Sequence, residues 1–213
     1  MPSAGARLTA ADLTCIRGDQ LIFEHLSLDV GPGELWQVTG PNGAGKTSLL
    51  RVLAGLVPPA AGELWWRGTA LPEGLPQLRA ELAFLGHLPG VTGFLTATEN
   101  LQVARALMGT PSPISLAEAL ARAGLQAKAD VPAARLSAGQ RQRLALARFL
   151  LADARLWVLD EPFTALDESG RAFAESLLLE HLARGGLAVV STHQPLRIPA
   201  DHLRQLVLSG VAA

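Results

Sequence analysis

Residues 40–48 read Gly40-Pro41-Asn42-Gly43-Ala44-Gly45-Lys46-Thr47-Ser48, and the fold follows from them. The stretch has the form G-x-x-x-x-G-K-T. The apolar run Leu35-Trp36-Gln37-Val38 leads into it as a strand, and Ser48-Leu49-Leu50-Arg51-Val52-Leu53-Ala54 leads away as a helix. Gly40, Gly43 and Gly45 let the backbone turn and bring its N–H groups close to an anion, at a helix N-terminus that already favours negative charge. All nine residues are therefore candidate contacts to a nucleotide. Lys46 is placed to reach the outer phosphates, and the Thr47 hydroxyl to ligate Mg2+. A glycine-rich turn that only joins a strand to a helix would not require Lys-Thr directly after the last glycine.

The chain has 213 residues, enough for one sizeable core, and 49% hydrophobic residues argue against disorder. A net charge of -1 gives no electrostatic footprint for nucleic acid. The single cysteine, Cys15, has no intramolecular disulfide partner and reads as a small core residue. The segment from Met1 to Arg7 lacks the apolar centre of a signal peptide, and no uninterrupted apolar run spans a bilayer. These features lead us to expect a cytoplasmic protein that reaches a membrane only through a partner.

Short apolar runs on either side of Arg17-Gly18-Asp19-Gln20 predict antiparallel strands at the N-terminus, and another strand is expected around Leu64-Trp65-Trp66. The paired tryptophans fit packing in a core or at a sheet edge better than a stacking platform. From Pro72 to Arg135 the sequence becomes rich in Ala and Leu, with helical spacing over Thr98 to Met108 and Ser115 to Leu125 and a break at Gly109-Thr110-Pro111-Ser112-Pro113. Beyond it come a helix from Ser137, a strand Leu156 to Leu159, a helix Glu168 to Ala183, a strand Leu187 to Val190 and a last apolar run Leu203 to Leu208. Alternating strands and helices imply an α/β fold with a mostly parallel sheet. We expect one domain over 1–213, with residues 1–71 and 136–213 as the core and its β-rich part, and about 72–135 as an inserted helical lobe.

The aliphatic strand Leu156-Trp157-Val158-Leu159 ends in Asp160-Glu161-Pro162. Ligands of open α/β sheets bind at the carboxyl ends of strands, so both carboxylates should arrive where the phosphate loop sits. Asp160 is suited to hold Mg2+, and Glu161 to polarise an attacking water. His193 follows the strand ending Val190-Ser191-Thr192 and should emerge beside the same phosphates. Leu136-Ser137-Ala138-Gly139-Gln140 starts a helix with the Ser-x-x-Gln spacing of a capping box. Glycine in a first turn costs about 1 kcal/mol against alanine, which suggests that a phosphate approaches the backbone at Gly139. Arg141, Arg143 and Arg148 further along read as a solvated face with some ion pairing.

Together, Gly40 to Thr47, Leu136 to Gln140, Leu156 to Glu161, Ala165-Leu166-Asp167 and Ser191-Thr192-His193 stand in the order found in the ATP-binding-cassette ATPases, which the chain resembles over nearly its whole length. The resemblance implies a P-loop NTPase of this type, with ATP and Mg2+, in a head-to-tail homodimer. Each ATP would lie between the phosphate loop of one subunit and Ser137, Ala138, Gly139 and Gln140 of the other. It also implies that Glu161 is the catalytic base, that His193 contacts the terminal phosphate, and that Asp167 couples the two sites. His87 stands where the family usually has a glutamine that senses magnesium and water and touches the membrane partner. Arg17 stands where an aromatic commonly stacks on adenine; its guanidinium plane can also stack, and a surface turn arginine is the alternative.

Phe84-Leu85-Gly86-His87 with Gly90, Thr96-Ala97-Thr98-Glu99-Asn100-Leu101, and Ala138 within the signature are similar to the haem exporter branch serving bacterial cytochrome c biogenesis. That implies integral membrane permease partners, peripheral attachment to the inner face of the cell membrane, and ATP hydrolysis that drives haem export or release. The five histidines and one cysteine form no haem-attachment pattern, so direct haem binding is not expected. An ATPase for another small-molecule transporter, or a non-transport cassette protein, are the alternative readings.

Overall fold

Two β-sheets share one hydrophobic core and a second core covers the other face of the larger sheet in the computed structural model, which describes residues 6–107 and 113–209. Strands β1 (Leu8–Arg17) and β2 (Gln20–Val30) form an antiparallel hairpin around Gly18 and Asp19, the turn expected from sequence. Strand β3 (Leu35–Thr39) leads through the phosphate loop into helix α1 (Lys46–Leu53), which ends against Gly55. Strands β4 (Ala61–Trp66) and β5 (Thr69–Ala70) complete a four-stranded sheet of order β2-β1-β4-β5. Trp66 is fully buried in that sheet's core, as packing predicts, with Arg67 over its ring at 5.7 Å.

Helix α2 (Leu75–Glu81) then runs directly into strand β6 (Leu82–Leu85), and helices α3 (Ala97–Leu107) and α4 (Leu116–Arg122) follow. Leu82–Leu85 lies inside the stretch read from sequence as the helical lobe, yet it pairs in parallel with the strand that ends in Asp160 and so belongs to the larger sheet. Met108 and the break from Gly109 to Ser112 lie outside the described residues, as do residues 1–5 at the N-terminus. The remaining elements are α5 (Ala138–Ala147), β7 (Leu156–Asp160), α6 (Glu168–Ala183), β8 (Leu187–Ser191) and β9 (Leu203–Val207). The five-stranded sheet has the order β6-β7-β8-β3-β9, and every pair in it is parallel.

Every residue of β7 and β8 is buried, which explains why they read as unbroken aliphatic runs: successive side chains point to opposite faces, and both faces are covered. Trp157 and Leu159 face the core built with α5 and α6, whereas Leu156 and Val158 face α1 and the smaller sheet. Helix α1 contributes Leu49, Leu50 and Leu53, all at 0% exposure; burying each supplies about 2 kcal/mol relative to leaving it in water. The phosphate loop thus stands on a helix anchored by its apolar face.

Candidate nucleotide site

Register brings the site together. Val38 of β3 pairs with Ser191 of β8, and Asp160 of β7 pairs with the same Ser191. The carboxyl ends of three neighbouring strands therefore lie level, and the phosphate loop, Asp160-Glu161 and Thr192-His193 all leave the sheet at one edge. The phosphate loop and Asp160-Glu161 line an open cleft of about 450 Å³ whose walls include Lys46, Thr47, Asp160, Glu161, Arg17 and His87.

The loop backbone fits only glycine at two points. A Cβ on Gly40 would lie 2.1 Å from the Leu208 carbonyl oxygen, and one on Gly45 2.3 Å from Ile22 Cγ2; both residues have positive φ. Gly43, also at positive φ, borders open space instead. Lys46 is buried, and its ammonium donates to the carbonyls of Gly40 at 2.8 Å and Pro41 at 3.1 Å while lying 3.0 Å from His193 Nε2. Thr47 Oγ1 donates to Asp160 Oδ2 at 2.8 Å, and Ser191 Oγ donates to Asp160 Oδ1 at 2.6 Å. Both oxygens of this buried carboxylate are thereby oriented.

Glu161 follows in the left-handed region, at φ 51, with its N–H bonded to the Ser191 carbonyl at 3.1 Å and to Ser191 Oγ at 3.0 Å. Its carboxylate lies 3.7 Å from His193 Nε2. Burial pushes the Glu161 carboxyl above its ordinary pKa, with the Asp160 charge adding to the rise; His193, Lys46 and His87 pull the other way. A carboxylate raised in this manner is a better proton acceptor for a bound water.

Ser137 and Gln140 form the expected capping box at the start of α5. Ser137 and Ala138 are exposed, and none of Ser137 to Gln140 lines the cleft of its own chain. The glycine in this first turn has an intramolecular reason: a Cβ on Gly139 would stand 2.6 Å from the Ala165 carbonyl oxygen. Close packing of α5 on the loop after Glu161 therefore accounts for Gly139 without a phosphate. The solvated arginine face is also corrected, because none of Arg141, Arg143 and Arg148 is exposed, whereas the expected ion pairing is found at Arg143. Arg141 donates to the Leu136 carbonyl, Arg143 pairs with Asp167, and Arg148 donates to the carbonyls of Pro89 and Gly90.

A sequence profile of the family described as ABC transporter matches residues 23–164, which include the phosphate loop, the signature and both carboxylates. The chain belongs to the ABC transporter family. Among its curated relatives, the cytochrome c biogenesis ATP-binding export protein CcmA 2 of Cupriavidus metallidurans is 51% identical over 199 residues, 93% of each chain. The CcmA protein of Methylococcus capsulatus is 51% identical over 205 residues, 96% of this chain and 99% of that one. Among solved structures, a putative ABC transporter ATP-binding protein of Pyrococcus furiosus superposes with a TM-score of 0.80 at 25% identity, over 94% of this chain and 97% of that one. A dimeric post-hydrolysis state of the cassette MJ0796, bound to ADP and Pi, does so with a TM-score of 0.73 at 25% identity, over 88% of each chain.

Sequence reasoning gave no role to two residues of this ABC cassette. Ser191 orients both Asp160 and the Glu161 backbone. Gln37, buried inside β3, donates to the carbonyls of Thr192 at 3.3 Å and Gln194 at 3.0 Å, on either side of His193. Each is a buried polar residue next to buried apolar ones in its strand, and that break in pattern is the available signal.

Proposed function

We propose that the chain is the ATP-hydrolysing subunit of a membrane ABC transporter and that it powers haem export or haem release during c-type cytochrome biogenesis. The observation that carries the ATPase part is the convergence of Lys46, Thr47, Asp160, Glu161 and His193 at the level ends of three parallel strands. The haem part is supported by relatives about half identical over nearly the full chain, whose names describe cytochrome c biogenesis and export.

In this reading the backbone N–H groups from Asn42 to Ser48 cradle the phosphates, and Lys46 exchanges its carbonyl partners for the outer phosphate oxygens. Arg17, at the cleft wall, stacks on the base. The Thr47 hydroxyl and the Asp160 carboxylate are a hard-oxygen pair suited to Mg2+, an ion that usually takes one or two protein oxygens beside phosphate and water. Among the described residues no group of three or more His, Cys, Asp or Glu forms a closed metal cage, in keeping with that partial coordination. When bound, the ion neutralises charge on the phosphate oxygens. Glu161 accepts the proton of the attacking water, while His193, held between Lys46 and Glu161, contacts the terminal phosphate. His87 takes the place of the usual glutamine at the cleft wall.

The signature Ser137 to Gln140 meets the ATP of a second copy, and Asp167 couples the two sites. An integral membrane permease docks beyond His87, where Leu88 at 78% and Phe94 at 83% exposure leave apolar surface in water. No helix among the described residues is long and apolar enough to cross a membrane, so in this reading the permease tethers the chain to the inner membrane face. Glu161→Gln tests the assignment. ATP binding should persist and the ATP-bound dimer should accumulate, with turnover reduced by about 10²-fold or more; hydrolysis at the wild-type rate would remove Glu161 from the mechanism. Recovery of the native chain with a permease outside cytochrome c maturation would overturn the haem assignment.

A further inference from the structure

The geometry points to Gln142 and Arg143, on the helix that begins with the signature, as positioning residues of Glu161. The loop they hold is one that would not rest unaided in its shape: Glu161 and Ala165 are both non-glycine residues in the left-handed region, at φ 51 and φ 62. Helix α5 grips this loop at three successive points. Gln142, buried, donates its Nε2 hydrogen to the carbonyl of Pro162, directly after Glu161, at 2.8 Å. Gly139 packs against the Ala165 carbonyl with no room for a Cβ. Arg143 pairs with Asp167, whose Oδ1 also accepts the Gly170 N–H at 2.8 Å and so caps α6.

The Arg143 side chain runs through a passage kept open by two glycines. A Cβ on Gly124 would come within 3.2 Å of one terminal guanidinium nitrogen, and a Cβ on Gly170 within 2.9 Å of Nε. The Arg143 end of the ion pair is thus built into the packing, while Asp167 meets it from the surface. It follows that α5 is a rigid link with the signature at one end and the Glu161 loop against its first two turns. Resting on the function proposed above, ATP held by the second copy and captured at Ser137 to Gln140 would set the position of the general base in the first copy's own site. The link is intramolecular and complements any contact that Asp167 makes across the dimer.

Gln142→Met keeps the length and burial of the side chain and removes its donor. We expect kcat for ATP to fall about tenfold while the ATP KM stays within about twofold. The ATP-bound dimer of Gln142→Met/Glu161→Gln should form as readily as that of Glu161→Gln alone. Arg143→Gln removes the charge facing Asp167 while leaving Asp167 and its cap on α6 in place; the same split between kcat and KM is expected at about threefold. Whichever of the two variants folds suffices. Wild-type kcat in a folded variant overturns the proposal, as does a loss of kcat that comes with equal loss of ATP binding and dimerisation, the mark of a general structural role. A wild-type chain with no ATPase activity would instead overturn the function itself, so the two failures are distinct.

Discussion

Glu161 shows at the scale of one residue how the site opposes stability. Its left-handed backbone costs about 1–2 kcal/mol, and its carboxylate is disfavoured by burial and by the neighbouring Asp160. For an acid, a raised pKa in the folded state means that the native chain holds the proton more tightly than the unfolded chain does. The ionised group therefore subtracts stability above the ordinary carboxylate range, and the loss disappears once both states are protonated. Glu161→Gln should raise the thermal midpoint of the nucleotide-free chain at pH 7–8, with the gain shrinking as pH falls toward about 4.5 and gone below it. Melting curves of both chains across that range decide it; a wild-type midpoint equal to or above the variant's at pH 8 would show that the carboxylate is not strained. Lys46, His193 and His87 partly offset the cost, and the remainder stays as reactivity toward a bound water.

At the scale of elements, the join of α6 to β8 repeats this tension away from the chemistry. His181, near the end of α6, lies flat on Trp157 of β7 with ring centroids 3.9 Å apart, and its Nε2 bonds to the Leu187 carbonyl at 3.0 Å. Gly186 leaves the room, since a Cβ there would lie 2.2 Å from the imidazole. Burial pulls the His181 pKa down to about 4 from an ordinary 6.5. The native state thus keeps the ring neutral while the unfolded chain takes up a proton, so stability is complete above pH 6.5 and is lost as pH falls toward 4. Each pH unit in that window costs up to about 1.4 kcal/mol from this group. His181→Phe retains the stack and removes the titration; its stability, measured by urea unfolding, should fall less steeply between pH 6.5 and 4, and an unchanged slope would clear His181. None of this was legible in the sequence, where His181 is one polar residue on a helix and its partners are set by strand order. The phosphate loop and the Asp160-Glu161 strand end were legible because their chemistry is local: glycines at a turn, Lys-Thr at a helix start, carboxylates closing an aliphatic run. Arg148 was misread for the opposite reason, as its carbonyl partners Pro89 and Gly90 lie nearly 60 positions away, and periodicity reports a face but not what covers it.

At the scale of the whole molecule, the cleft and the signature lie apart, and this decides what one copy can do. Lys46, Thr47, Asp160 and Glu161 line the cleft, while Ser137 to Gln140 stand at the head of α5 outside it, with Ser137 and Ala138 exposed. On the function proposed above, the chain supplies one wall of a site and the opposite wall of another, and is complete only as a symmetric pair. Two inactive variants should then rescue each other. Lys46→Ala destroys the phosphate loop, and Ser137→Arg places a bulky cation at the signature, so either homodimer has both of its sites damaged. In a mixed dimer both lesions fall in the same composite site, and the other site keeps an intact Lys46 from one chain and an intact Ser137 from its partner. With random pairing half of the dimers are mixed and each has one sound site, so mixing should restore up to about a quarter of wild-type turnover. Sites that depend strictly on each other would give less, but any rate clearly above the sum of the two variants alone requires that the walls come from different chains. If each copy hydrolysed ATP within its own cleft, the mixture would never exceed that sum.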